Sequence, residues 1–94
     1  MSFRLTPQAL ADLDNIADFL TENYPHIAPS VEARLWSLFD LLDEFPGIGR
    51  PGPRPGVNEL PVVNYPYLII FRPGDDGVEI LRVFNTSRSP STKF

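Results

Sequence analysis

The stretch FRLTPQAL, residues 3–10, sets the order of the first two structural elements. Its first three residues alternate between apolar and polar side chains, which favours a short strand. Thr6 can accept hydrogen bonds from the backbone at the start of a helix. Pro7 suits the first helical position because the N–H group there would be unbonded anyway. The stretch therefore predicts a strand that runs directly into a helix.

Apolar residues recur at helical spacing in the two segments that follow. The first helix is predicted to end at residues 23–25, Asn-Tyr-Pro, and the second to begin between His26 and Ser30 and to end at Pro46. A short connection makes the pair an antiparallel helical hairpin. The predicted apolar stripes are Leu10, Leu13, Ile16, Ala17, Leu20 and Tyr24 in the first helix, and Val31, Leu35, Leu38, Leu42 and Phe45 in the second.

The second helix carries more apolar residues than its stripe requires. Trp36, Phe39 and Leu41 lie partly off the stripe, so this helix has more apolar surface than contact with one helix and one sheet face needs. A wide buried face is the simpler explanation for Phe39. Trp36 is predicted to contact a partner.

Residues 46–56 contain closely spaced prolines and glycines, which predict an irregular loop. The G-x-G-x-x-G match inside this loop follows a helix instead of a strand, so it does not indicate a phosphate site. Three strands are predicted beyond it, over residues 57–63, 67–72 and 78–85, and Pro61 makes the first an edge strand. The predicted fold class is α+β, in the order β-α-α-β-β-β, with the helical hairpin packed on one face of a small, mainly antiparallel sheet.

Apolar residues occupy both alternating positions of the last two predicted strands, so both faces of the sheet should be largely apolar. The hairpin can cover one face, and we expect a partner segment to cover the other. Because 94 residues suit one hydrophobic core, we expect a single domain over residues 1–94. Its tail, residues 86–94, is short and rich in Ser, Thr and Pro, and is expected to be flexible.

Composition excludes several classes of function. The chain has no cysteine and a single histidine, His26, so no metal centre or cofactor is predicted. No apolar run approaches the roughly 20 residues needed to cross a bilayer, and no signal peptide is recognisable, so we expect a cytoplasmic protein that does not bind membranes. The net charge of −4 argues against direct nucleic-acid binding.

The charges are also unevenly distributed along the chain. Residues 1–47 hold eight acidic and two basic side chains, whereas residues 48–94 hold four acidic and six basic ones. A polarised surface of this kind indicates an interaction face, although acidic, solvated helices explain it equally well.

Three arginines are candidates for contacts with a partner. Arg82 lies in an otherwise apolar strand, where an unpaired buried charge is unfavourable, so it should reach solvent or meet a carboxylate of this chain or of a partner. Arg72 and Glu79 flank the last hairpin and are expected to form a cross-strand ion pair. Arg88 lies in the polar tail, where solvated charge and target contact are both open interpretations.

Four segments of the chain, taken in order, resemble the ParE/RelE toxin superfamily. They are residues 5–16 with A-x-x-D-L-x-x-I, residues 34–51 ending in F-P-x-x-G-R-P, residues 56–72, and residues 78–90, similar to V-E-I-L-R-V-x-H-x-x-R-x-P. The order and spacing of the four make the resemblance specific. It implies the toxin component of a type II toxin–antitoxin system, bound and neutralised by a ParD-like antitoxin in a hetero-oligomer.

Two positions depart from the RNA-cleaving branch of the superfamily. Asn58 stands where many relatives carry Arg, and Asn85 stands where they carry His. Asparagine supplies neither a cation nor a transferable proton near neutral pH. The resemblance therefore implies a ParE-like inhibitor of DNA gyrase, of the plasmid-stabilisation type, with no catalytic residues. A RelE-like ribosome-dependent mRNA endoribonuclease and a degenerate member that only binds antitoxin are the alternatives.

Overall fold

The computed structural model describes residues 3–87, which form two α-helices against a five-stranded sheet. The sheet order is β1-β5-β4-β3-β2, with β1 parallel to β5 and every other pair antiparallel. The predicted α+β class and the order of its elements are confirmed, with one further strand, β2. The elements are β1 (Arg4–Leu5), α1 (Pro7–Asn23), α2 (Ala28–Glu44), a 3-10 turn (Pro46–Ile48), β2 (Arg50–Pro51), β3 (Asn58–Pro61), β4 (Tyr67–Gly74) and β5 (Gly77–Asn85).

Thr6 joins the first strand to the first helix as the sequence predicts. Its extended backbone precedes Pro7, and its hydroxyl oxygen accepts a hydrogen bond of 3.0 Å from the N–H of Ala9. The same hydroxyl donates to the carbonyl of Leu81 at 2.8 Å, while the N–H of Thr6 donates to the carbonyl of Ile80 at 3.1 Å. One residue thus caps α1 and fixes its start against the edge of β5.

The hydrophobic core lies between the helical hairpin and one face of the sheet. Phe39, Leu35 and Leu42 of α2 are fully buried there. On the sheet side the buried residues of this core are Tyr67, Ile69 and Phe71 of β4 and Val78, Ile80 and Val83 of β5.

Three residues of the predicted apolar stripes are exposed. In α1 the small side chain of Ala9 is buried against the sheet, and its neighbour Leu10 consequently points outward and is 49% exposed. Tyr24 and Phe45 are the C-cap residues that directly follow α1 and α2, and the backbone of both is no longer helical. The helical period therefore no longer places them on the buried face.

The proline-rich loop contains more regular structure than predicted. A 3-10 turn occupies Pro46–Ile48, and β2 pairs with β3 so that Arg50 lies opposite Glu59. Gly49 makes this possible, because a Cβ atom there would lie 2.3 Å from the ring of Phe71. As the outermost strand, β2 tolerates a proline that cannot donate to a neighbouring strand.

The far face of the sheet is not left open at its centre. Leu68 and Ile70 alternate with the helix-facing residues of β4, yet they are only 5% and 1% exposed. The expectation that this face needs a partner to cover it is therefore wrong for β4. Most of the predicted flexible tail, residues 88–94, lies outside the described residues.

Candidate partner-binding surfaces

Trp36 is a large aromatic residue that the chain only half covers. It is 43% exposed, whereas Phe39, three residues further along α2, is completely buried, as the sequence analysis expected. The ring centroid of Trp36 lies 5.5 Å from that of Phe39 in an edge-to-face arrangement, and 5.7 Å from that of Phe3. These contacts hold one side of the indole against the core and leave the other side available to a partner.

Trp36 borders a groove between α1 and α2, with a volume of about 160 Å³. Asp14 of α1 and Glu32 of α2 contribute carboxylates to the groove. Within residues 3–87 neither carboxylate has an ion-pair partner. We call this surface the hairpin groove; its lining residues are Leu13, Asp14, Ile16, Ala17, Glu32, Leu35 and Trp36.

Three other exposed apolar residues lie near the C-terminal end of α2 or just after it. Leu41 is 39% exposed and lies five residues after Trp36, about 140° around the helix axis. Phe45 and Ile48 follow it and are 53% and 44% exposed. Trp36 therefore differs from these residues in lining a groove that both helices form.

Arg82 meets a carboxylate of its own chain. Its Nε and Nη2 atoms donate to Asp12 Oδ2 and Oδ1 at 2.8 and 2.9 Å, and Asp12 Oδ2 also accepts the N–H of Val83 at 2.9 Å. The guanidinium carbon lies 4.8 Å from the ring centroid of Phe84. The hydrogen bond to Asp12 raises the pKa of Arg82 above its ordinary value, outweighing the opposing effect of partial burial, and the charge of Asp12 adds to the rise.

The Asp12–Arg82 pair is one of the outcomes expected for Arg82, although Asp12 itself was not identified from the sequence. It ties α1 to the edge of β5 across 70 residues of chain. Both residues belong to motifs quoted above: Asp12 is the D of A-x-x-D-L-x-x-I and Arg82 is the R of V-E-I-L-R-V. The motifs do not show that these two residues are in contact. A role for Arg82 in binding a partner stays a prediction, and a partner carboxylate would have to share the guanidinium with Asp12.

Arg72 forms the predicted cross-strand ion pair with Glu79, directly opposite it in β4 and β5. Its side chain remains 55% exposed and is therefore accessible to a partner. A second pair of the same kind joins Arg50 of β2 to Glu59 of β3, with Nε and Oε2 2.7 Å apart. Ion pairs as exposed as these contribute little to stability.

The structure brings two of the four predicted partner-binding residues together. Arg72 and Arg82 line one cavity of about 330 Å³, to which Arg54 also contributes. Trp36 belongs to the hairpin groove instead, and Arg88 lies outside the described residues.

The two asparagines do not form a common site. Asn58 pairs with Phe71 and Asn85 with Tyr67, four residues apart on β4 and thus about 13 Å along the strand. The side-chain oxygen of Asn85 accepts hydrogen bonds from the N–H and the hydroxyl of Ser87.

No group of His, Cys, Asp and Glu in residues 3–87 is arranged to hold a metal ion. None of the helices described is long and apolar enough to cross a membrane.

Comparisons with known proteins agree on one family. The family model described as "ParE toxin of type II toxin-antitoxin system, parDE" matches residues 3–90. A protein of Sinorhizobium fredii named "Putative toxin Y4kP" is 39% identical over 82 residues, which cover 87% of this chain and 84% of that protein. The solved structure titled "Chromosomal ParDE TA system from P. aeruginosa" superimposes with a TM-score of 0.80 at 30% identity, over 90% of this chain and 95% of the other. The chain belongs to the ParE toxin family of type II toxin–antitoxin systems.

Proposed function

We propose that this ParE-type toxin inhibits DNA gyrase in the cytoplasm, and that a cognate ParD-like antitoxin neutralises it by forming a hetero-oligomer. Membership of the ParE family supports the gyrase target. The observation that carries a protein partner is the half-exposed Trp36, held against the core on one side and open to the hairpin groove on the other. Tryptophan in such a setting is the residue type that most often dominates the energy of a protein–protein interface.

Antitoxin binding accounts for the apolar surface of the hairpin. A segment that is disordered alone can fold onto an exposed helical surface and bury its apolar residues there. The hairpin groove presents such a surface between two rigid helices. The relative from P. aeruginosa is titled as a ParDE system, which supports a partner of the ParD kind for this chain.

Inhibition by binding fits the described residues better than RNA cleavage does. Asn58 and Asn85 lie far apart and cannot act as acid or base. Arg72 and Arg82 each contact a carboxylate of the chain, which reduces their capacity to stabilise a developing negative charge. These features support a toxin that blocks its target by occupying it.

Induction of the protein in cells tests the proposal. Plasmid supercoiling, chromosome breakage and transcript integrity are followed together after induction. We expect DNA damage and blocked replication while transcripts remain intact, and we expect purified protein to inhibit gyrase supercoiling of relaxed plasmid. Codon-phased cuts in translated mRNA, with supercoiling unchanged, would support the endoribonuclease alternative instead. No effect on growth, with antitoxin binding retained, would identify a degenerate member.

A further inference from the structure

The hairpin groove combines an exposed aromatic ring with carboxylates on both of its walls. Asp14 lies on α1 and Glu32 on α2, so each helix contributes one negative charge beside Trp36. The lining of this groove contains no basic side chain. A segment that enters the groove must therefore approach two carboxylates that have no ion-pair partner within residues 3–87.

The surroundings of the groove strengthen this negative charge. Four further exposed acidic residues follow the groove residues at intervals of four, Asp18 and Glu22 after Asp14, and Asp40 and Glu44 after Trp36. Each therefore lies within about 80° of that groove residue around the helix axis. Arg34, the one basic residue in the sequence of α1 and α2, lies two residues before Trp36 and so about 160° around the helix axis from it. The charge on the groove side of the hairpin is thus predominantly negative.

The dimensions of the groove favour a polypeptide as its occupant. A volume of about 160 Å³ is below the roughly 300–1,000 Å³ typical of small-molecule pockets. Two packed helices present ridges and a groove, and a third helix can place its own ridge in such a groove. Apolar side chains of that ridge would contact Trp36, and the residues flanking the ridge would face the carboxylates.

We propose that the hairpin groove selects a cationic amphipathic helix, with an apolar ridge on Trp36 and Lys or Arg on its flanks facing Asp14 and Glu32. This inference rests on the proposed function, in which the antitoxin supplies the occupant, and it adds the charge of the segment that the antitoxin places here. Contact with Trp36 provides affinity, whereas the two carboxylates determine which segment is accepted. A helix with acidic flanks is rejected because its negative charges would face Asp14 and Glu32.

A displayed library of helical peptides of about four turns tests the charge preference. Each peptide carries a fixed apolar ridge, and its flanking positions vary between Lys, Gln and Glu. Selection is carried out on the wild-type protein at low and at physiological salt. We expect Lys to be enriched at the flanks, and we expect the affinity of the selected peptides to decrease as salt increases.

Charge-reversal variants of the protein test whether Asp14 and Glu32 cause the charge preference. We expect Asp14→Lys with Glu32→Lys to weaken the selected peptides by about tenfold or more. The matched control is Asp75→Lys with Asp76→Lys in the exposed β4–β5 turn, which changes the net charge equally and should alter affinity by no more than about twofold. Trp36→Ala should abolish measurable binding, with a thermal melt of each variant to establish that it is folded.

Three results would overturn the inference. The first is enrichment of Gln or Glu at the flanks, the second is an equal effect of the groove and control reversals, and the third is selection of no peptide that depends on Trp36. Because the experiment contains neither gyrase nor antitoxin, such a result leaves gyrase inhibition standing. Conversely, a failure of the induction experiment does not alter the charge preference measured here.

Discussion

The sheet and the hairpin groove differ in whether their charged residues form ion pairs within the chain. On the sheet, Arg50, Arg72 and Arg82 each contact a carboxylate of the same chain. In the groove, Asp14 and Glu32 have no cationic partner among residues 3–87. The difference indicates that the arginines of the sheet already have partners within the chain, whereas the carboxylates of the groove are available to another molecule.

The same contrast exists within α2 between two aromatic residues three positions apart. Phe39 is completely buried and Trp36 is 43% exposed, although their rings touch. A partner can therefore reach one of them and not the other. Variants that change stability and binding by different amounts test this division between fold and surface.

The largest effect on stability is expected from Phe39→Ala. Removing a fully buried aromatic ring leaves a cavity beside Phe3 and Trp36, and should lower the free energy of unfolding by about 3–5 kcal/mol. For a chain of this size that corresponds to a melting temperature lower by about 4–8 °C for each kcal/mol. Thermal and urea unfolding measure it. A loss below about 1 kcal/mol would mean that Phe39 is not a core residue.

The second-largest effect on stability is expected from Asp12→Ala. This change leaves Arg82 without its carboxylate and the N–H of Val83 without its acceptor. We expect a loss of about 2–3 kcal/mol, less than for a fully buried pair because the Arg82 side chain is 34% exposed.

Asp14→Ala is the matched control for this prediction, since Asp14 lies in the same helix and has no ion pair among the described residues. Unfolding of the two variants in urea provides the comparison. If both unfold at the same denaturant concentration, the Asp12–Arg82 pair does not tie α1 to the sheet.

The smallest effect on stability is expected from Arg72→Ala. Its pair with Glu79 lies at the surface, where such pairs contribute about 1 kcal/mol or less. The melting temperature should therefore change little. If the prediction that Arg72 contacts the antitoxin holds, affinity measured by titration should decrease much more than stability. Loss of stability without loss of affinity would make Arg72 a residue of the fold alone.

Much of the fold could be predicted from the sequence because its signals are local. Thr6 and Pro7 mark the start of α1 by capping and backbone geometry, which depend on neighbouring residues alone. The bounds of α2 followed in the same way from prolines at each end. The excess of apolar residues on α2 also pointed to Trp36, since one helix face can bury only part of it.

The remaining features depend on which segments meet in space. Strand β2 forms in a proline-rich loop because β3 offers it a partner and Gly49 fits over Phe71. The contact of Asp12 with Arg82 joins residues 70 positions apart, and no periodic pattern in the sequence indicates it. Likewise, Asp14 and Glu32 flank one groove only because the hairpin places α1 beside α2.

Trp36→Ala, measured for both stability and antitoxin binding, tests the division between fold and surface most directly. We expect affinity for the proposed antitoxin to fall by about 2 kcal/mol or more, roughly 30-fold. The free energy of unfolding should fall by only about 1–2 kcal/mol, through lost contacts with Phe3 and Phe39. A loss of about 3–5 kcal/mol in stability, with affinity unchanged, would show that Trp36 belongs to the core and not to a binding surface.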